Sequence, residues 1–169
     1  MIGRDCGGCT LCCKVLGIAA LDKPKGRWCP RCEVGRGCGA YDERPAECRT
    51  FNCLWLQREH LGPEWRPDRA KFVLCPTPDN ATLLVQVDPG APDAWRRAPY
   101  HARLREWSRA ATDARRQIVV MVGDRATVVL PDRDVALGAV SPGDRIVLRQ
   151  TTEGGRSRIE PRVERANGA

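Results

Sequence analysis

All ten cysteines of this 169-residue chain lie within its first 75 residues, and the run opens Cys6-Gly7-Gly8-Cys9-Thr10-Leu11-Cys12-Cys13. The others are Cys29, Cys32, Cys38, Cys48, Cys53 and Cys75. Thiolates two residues apart converge easily on one soft cation, so this crowding predicts metal ligation. The competing reading is a disulfide framework, which an even number of cysteines in a small secreted domain would suggest. Two features oppose it. No apolar stretch precedes Cys6, so no secretory leader is expected and a reducing cytoplasm is, and vicinal Cys12 and Cys13 make an awkward disulfide set.

Composition divides the chain. Residues 1–80 are rich in Gly, Pro, Cys and charge, with few aliphatic runs, whereas residues 81–150 hold most of the Val, Leu and Ile. The boundary is expected at the turn-prone Pro76-Thr77-Pro78-Asp79-Asn80. Residues 1–80 therefore read as a cysteine-cluster metal-binding region, 81–150 as a small α+β region, and 151–169 as a polar, frayed tail.

Within the first region, residues 6–13 are expected to form a knuckle or first helical turn, followed by a short helix or strand at Lys14–Ile18 and Gly- and Pro-punctuated loops. Residues 42–62 read as a helix, with Pro45 near its first turn and Gly62 as its stop. Five residues on an ideal helix rotate by about 140°, so Cys48 and Cys53 cannot share a metal from one straight segment. Either the helix breaks or they serve different metals. Cys53, Leu56 and His60 would share a face of such a helix, but an exposed role near the helix end is expected for His60, and His101 is weaker still as a ligand.

Beyond the boundary, Thr82–Asp88 reads as a strand, a helix follows from Pro92 through Leu104, Trp107 and Ala111, and Arg116–Val122 and Arg125–Leu130 flank Gly123-Asp124 as a hairpin. A last strand is expected within Val140–Arg149. The fold class is thus α+β: a Cys-rich, metal-organised first half of short helices and loops, then one helix against a small antiparallel sheet.

The formal charge of +7 is spread over both halves, with no basic block and no aromatic–basic interleaving. Arginines among the cysteines can offset an anionic metal–thiolate centre, and nucleic-acid binding, though possible, is not favoured. No apolar segment approaches the ~20 residues of a membrane span, so no membrane association is expected.

The residues Cys6-x-x-Cys9-x-x-Cys12-Cys13, Trp28-Cys29, Gly37-Cys38, Tyr41-x-x-Arg44-Pro45-x-x-Cys48-Arg49-x-Phe51-x-Cys53-x-Trp55 and Arg66-Pro67-Asp68 together resemble the YkgJ-like CxxCxxCC cysteine-cluster family of zinc- or iron-chelating domains. The resemblance covers roughly the first 75 residues. It implies metal binding in a bacterial cytosol through Cys6, Cys9, Cys12, Cys13, Cys29, Cys38, Cys48 and Cys53. Cys32 and Cys75 lie outside the shared pattern and are possible additional ligands. Tyr41, Arg44, Arg49 and Phe51 are expected to support the metal without ligating it, the arginines by charge and the aromatics by excluding water.

Cys6-x-x-Cys9-x-x-Cys12 has the spacing of three ferredoxin ligands, with a Cys-Pro such as Cys29-Pro30 or Cys75-Pro76 as fourth. Eight cysteines also divide into two tetrahedral zinc sites. Flagellin lysine methylase relatives of the family look like iron–sulfur proteins, which tilts the expectation toward a cluster over zinc. The functional expectation is a non-catalytic metalloprotein serving electron transfer, sensing or chelation. The alternatives are a zinc-stabilised nucleic-acid or protein-binding module, or an iron–sulfur enzyme, for which no nucleotide loop, Ser/His/Asp order or HExxH pair argues.

Overall fold

The structure, a computed structural model, describes residues 3–153 and 156–166. The thiol-bearing part is assembled from very short pieces: α1 (Cys12–Val15), β1 (Cys32–Glu33) paired with β2 (Gly37–Cys38), α2 (Ala46–Thr50), α3 (Leu54–Gln57) and α4 (Pro67–Ala70). It leads into β3 (Phe72–Pro76). β4 (Thr82–Val87), α5 (Tyr100–Asp113), β5 (Gln117–Val122), β6 (Arg125–Val129) and β7 (Asp134–Ala139) follow. The strands form one sheet in the order β3-β4-β5-β6-β7. β8 (Arg145–Glu153) and β9 (Arg156–Glu164) make a separate two-stranded ribbon.

The chain is α+β, as its pattern implies, but the sheet is neither small nor purely antiparallel. β4 and β5 run parallel, Thr82 opposite Gln117 through Val87 opposite Val122. A helix between two neighbouring strands returns the chain to its starting end, which forces the parallel pairing. That helix starts later than expected: Ala94–Arg96 is a separate 3-10 turn, and α5 begins at Tyr100.

Three further expectations are corrected. The single helix over 42–62 is two short helices separated by extended Phe51, and it ends at Gln57, so the face that would align Cys53 with His60 does not exist. The turn at Pro76–Asn80 is a hairpin between β3 and β4 inside one sheet, because Phe72-Val73-Leu74-Cys75 is itself a buried strand. The frayed tail is, in its described part, strand β9, which pairs residue by residue with β8; the alternation of Ile159, Pro161 and Val163 with charged residues gives it a half-buried face. Gly154, Gly155 and residues 167–169 of that tail lie outside the described residues.

Alternation along the strands sorts the core into layers. Phe72, Leu74, Val85, Val87, Ile118 and Val120 face α5 and join Leu104, Trp95, Tyr100, Leu61 and Trp65. Val119, Ala126 and Val128 face the other way and are covered by Ile146, Leu148 and Ile159 of the ribbon. Covered on both faces, the central strands read as continuous apolar runs. Val73 and Cys75, on the second face of β3, pack with Leu11, Val15 and Cys53 of the thiol-bearing part. The Lys14–Asp88 ion pair, 2.6 Å and mostly buried, fixes α1 to the end of β4.

Phe72 is fully buried, with ring centroids 6.0 Å from Trp65 and 5.0 Å from Tyr100, both edge-to-face. Phe72→Ala should lower unfolding stability by about 3–5 kcal/mol in urea denaturation, whereas exposed Trp28→Ala should change it by about 0.5 kcal/mol or less.

Candidate metal centre

The opening knuckle is a tight turn in which the Cys9 N–H donates to the Cys6 carbonyl at 2.8 Å, with Gly7 at φ +45°. Gly8 lies against the loop that joins β1 and β2: a Cβ there would stand 2.5 Å from the Gly35 carbonyl oxygen. The buried Thr10 hydroxyl accepts the Gly35 N–H at 3.2 Å and closes the same junction. A second tight turn has Cys32 N–H donating to the Cys29 carbonyl at 3.0 Å, while Cys29 N–H donates to the Cys13 carbonyl at 3.0 Å. Cys32 and Cys38 then stand directly opposite each other across β1 and β2. Two cysteine-bearing turns are thereby held side by side by backbone bonds.

All ten cysteines are free thiols. They fall into two adjoining neighbourhoods. In the first, the Cys13 thiol hydrogen-bonds those of Cys12 and Cys32, and Cys48 lies within electrostatic reach of Cys13, Cys29 and Cys38. In the second, Cys53 lies within reach of Cys6 and Cys9, and Cys75 of Cys53. Cys6, influenced by both Cys9 and Cys13, is the link between them. Among the described residues, no three Cys, His, Asp or Glu side chains are arranged as a set that could hold a metal ion.

Cys32 and Cys75, outside the eight-cysteine pattern, also lie within electrostatic reach of other thiols, Cys32 of Cys13 and Cys29 and Cys75 of Cys53. Their sequence signals were the Cys29-x-x-Cys32 spacing and the buried strand around Cys75. Neither histidine joins them: His60 is exposed, and His101 bonds the Asp134 carboxylate at 2.9 Å, on α5 and β7.

The environment favours the protonated form of Cys6, Cys9, Cys13, Cys32, Cys48, Cys53 and Cys75. The Cys12 hydrogen bond, then burial, pushes Cys13 far above the ordinary thiol value. Burial, then the charge of Cys13, pushes Cys32 up to about 11, and burial followed by the charge of Cys53 pushes Cys75 up to about 12. Burial is also the first cause of the upward shifts of Cys6, Cys9, Cys48 and Cys53. Backbone N–H groups oppose it at two places, those of Leu11 and Asp68 at Cys9 and those of Leu56 and Trp55 at Cys53. Such groups stabilise sulfur once it carries charge.

Of the four residues expected to support the metal, Phe51 packs on the cluster of Cys53, Cys75 and Val73. Arg44 donates from Nε to the Tyr41 carbonyl at 2.8 Å, lies 3.5 Å over the Tyr41 ring and lowers the upward shift of Cys6. Tyr41 itself is 60% exposed, so it shields no sulfur. Arg49 is exposed on α2. Three residues outside that set of four do more. Arg66 donates to the Cys6 carbonyl at 3.2 Å, Asp68 supplies the backbone N–H at Cys9, and Arg4 spans the carbonyls of Trp55, Arg58 and Glu59 at 2.9–3.0 Å while lying over the Trp55 ring.

No protein-family model matches the chain, and no curated protein or solved structure matches it significantly.

Raised thiol values set the sign of a pH dependence. Below the ordinary thiol value of 9.0, folded and unfolded chains are equally protonated; above it, the unfolded chain ionises while Cys32 and Cys75 do not. The metal-free protein should therefore lose stability steadily from pH 9 toward the folded values of about 11 and 12, read as a falling urea midpoint. A midpoint that stays flat over that window would show these thiols to be solvated.

Proposed function

We propose that this chain is a cytoplasmic metal-binding protein, whose N-terminal cysteines hold an iron–sulfur cluster or zinc through thiolates and whose role is electron transfer, sensing or chelation. The observation that supports the reading is ten free thiols, and no disulfide among the described residues, carried by the two locked turns, by α1, β2, α2 and the residue just before α3, and by β3. The donor set is all sulfur, which suits a soft or borderline cation. Gly8 fits the same purpose, since any side chain there would push the Cys6–Cys9 turn away from the loop between β1 and β2. When bound, a cluster would supply one-electron chemistry and zinc a structural cross-link. The chain's own part is to release thiol protons on binding, to offset negative charge with Arg44 and Arg66, and to keep water from Cys53 and Cys75 with Phe51, Val73 and Leu11. Among the described residues no helix is long and apolar enough to cross a membrane.

Iron–sulfur is the first choice, on the Cys6-x-x-Cys9-x-x-Cys12 spacing and the family resemblance. Zinc is the second, favoured by the tight Cys29–Cys32 turn with Cys38 opposite, a knuckle suited to tetrahedral ligation. Anaerobic purification of the full chain, with visible absorption and elemental analysis, decides. Brown protein with iron and sulfide supports the first, and colourless protein with stoichiometric zinc the second. A chain that carries neither and takes up neither on titration overturns the proposal.

Metal removal should loosen residues 6–53 and leave the sheet in place, because metal can supply on the order of 10 kcal/mol where aliphatic core is scarce. Circular dichroism during chelation checks this: strand signal should persist. Loss of all strand signal in one step would show that β3 couples the two parts into one cooperative unit.

A further inference from the structure

A cavity of about 360 Å³ lies where α3, the hairpin between β3 and β4, and α5 meet. That volume is at the small end of ligand sites. Ala110 and Ala111 of α5 and Ala114 just beyond it follow Trp107 by three, four and seven residues, so all of them border the cavity from one side. Their short side chains leave the space open. Leu54, Leu61, Leu83, Trp107 and Ile118 supply the apolar wall. Leu61 and Ile118 are 2% and 1% exposed and belong to the core under α5, so that wall is fixed by close packing. Trp107 is braced by Trp65, with ring centroids 4.9 Å apart and tilted by 32°.

The rim is basic. Arg58, His60 and Arg116 line it, all three exposed, and among the described residues no Asp or Glu does. No ion pair among the described residues includes any of the three, whereas Arg103 and Arg105 of α5 are held by Glu106 and Asp134. An apolar interior under uncompensated cations suits an occupant with an apolar body and a negative group that stays at the rim. A flat body gains more there than a flexible chain, because it can stack on Trp107 and gives up fewer rotamers on binding.

We propose that this cavity is a binding site for a small aromatic carboxylate, with its ring against Trp107, Leu54 and Leu83 and its carboxylate at the rim of Arg58, His60 and Arg116. Recognition by ring contact and charge is independent of the thiol chemistry proposed above, although α3, which starts directly after Cys53, forms one wall of the site.

The test is equilibrium dialysis of the full chain against indole-3-acetate, its neutral isostere indole-3-acetamide, cationic tryptamine and flexible decanoate. Indole-3-acetate should bind, the amide about tenfold more weakly and tryptamine more weakly still, because only the carboxylate forms charged hydrogen bonds with the arginines. Ala110→Leu fills the cavity from an exposed helix position that tolerates leucine, and it should remove binding with little change in urea midpoint. Combining Arg58→Gln with Arg116→Gln should weaken indole-3-acetate by about tenfold and leave the amide unaffected. Absence of indole-3-acetate binding at about 1 mM overturns the proposal, since that is the weakest affinity a specific site of this kind would show. Equal binding of acetate and amide, or unchanged affinity in either variant, overturns it as well. Decanoate binding more tightly than indole-3-acetate overturns the aromatic class. Should Ala110→Leu fail to fold, the arginine variant and the acetate–amide comparison decide.

Discussion

The two faces of β3 hold the molecule together. Phe72 and Leu74 point into the aromatic and aliphatic layer under α5, while Val73 and Cys75 point into the cluster formed with Leu11, Val15 and Cys53. One five-residue strand therefore belongs to both the sheet and the thiol-bearing part. Because side chains alternate with a period of two, a register slip of one residue would exchange these faces and bury Phe72 among the cysteines. The pairing of β3 with β4, Phe72 opposite Val87 through Pro76 opposite Leu83, excludes that slip. The Lys14–Asp88 pair and the bond from Asp88 N–H to the Lys71 carbonyl pin the same corner from either side.

Elements with a strong period were legible in the sequence. The Thr82–Val87 strand, the Gly123-Asp124 hairpin and the Leu104, Trp107, Ala111 face of α5 stand where the pattern puts them. Elements fixed by tertiary contact were not. β3 ends in Cys75-Pro76 and directly precedes a turn, so composition assigned it to a boundary, and only its pairing with β4 makes it a strand. β9 carries five charged residues among its nine, yet its backbone completes a ladder with β8 and its Ile159 packs on the sheet.

At the candidate site the cysteine positions were visible as spacing, but their grouping was not. Spacing cannot tell that Cys53 turns toward Cys6 and Cys9 while Cys48, five residues earlier, turns toward Cys13, Cys29 and Cys38. Extended Phe51 between the short helices α2 and α3 makes that divergence, and a single straight helix would have placed both differently. The burial of Lys23, only 6% exposed, was equally hidden. Its neighbours Asp22, Pro24 and Lys25 mark an exposed loop, and only the Ile18 bridge turns its side chain inward.

Burial and ionisation oppose each other throughout this region. Packing Cys53 and Cys75 among Leu11, Val15 and Val73 raises the cost of a thiolate; the N–H groups of Leu56 and Trp55 lower it at Cys53, those of Leu11 and Asp68 with Arg66 at Cys9, Arg44 at Cys6 and Lys23 at Cys13. Without metal, the first effect dominates and the thiols keep their protons. A bound cation changes the balance, because it replaces protons with a positive charge shared among several sulfurs. The same N–H groups and nearby cations would then act on sulfurs that bear charge. On the proposed function, a region with so few aliphatic side chains would gain most of its order from that exchange, while the sheet beside it draws stability from Phe72, Leu104 and the valines that line both its faces.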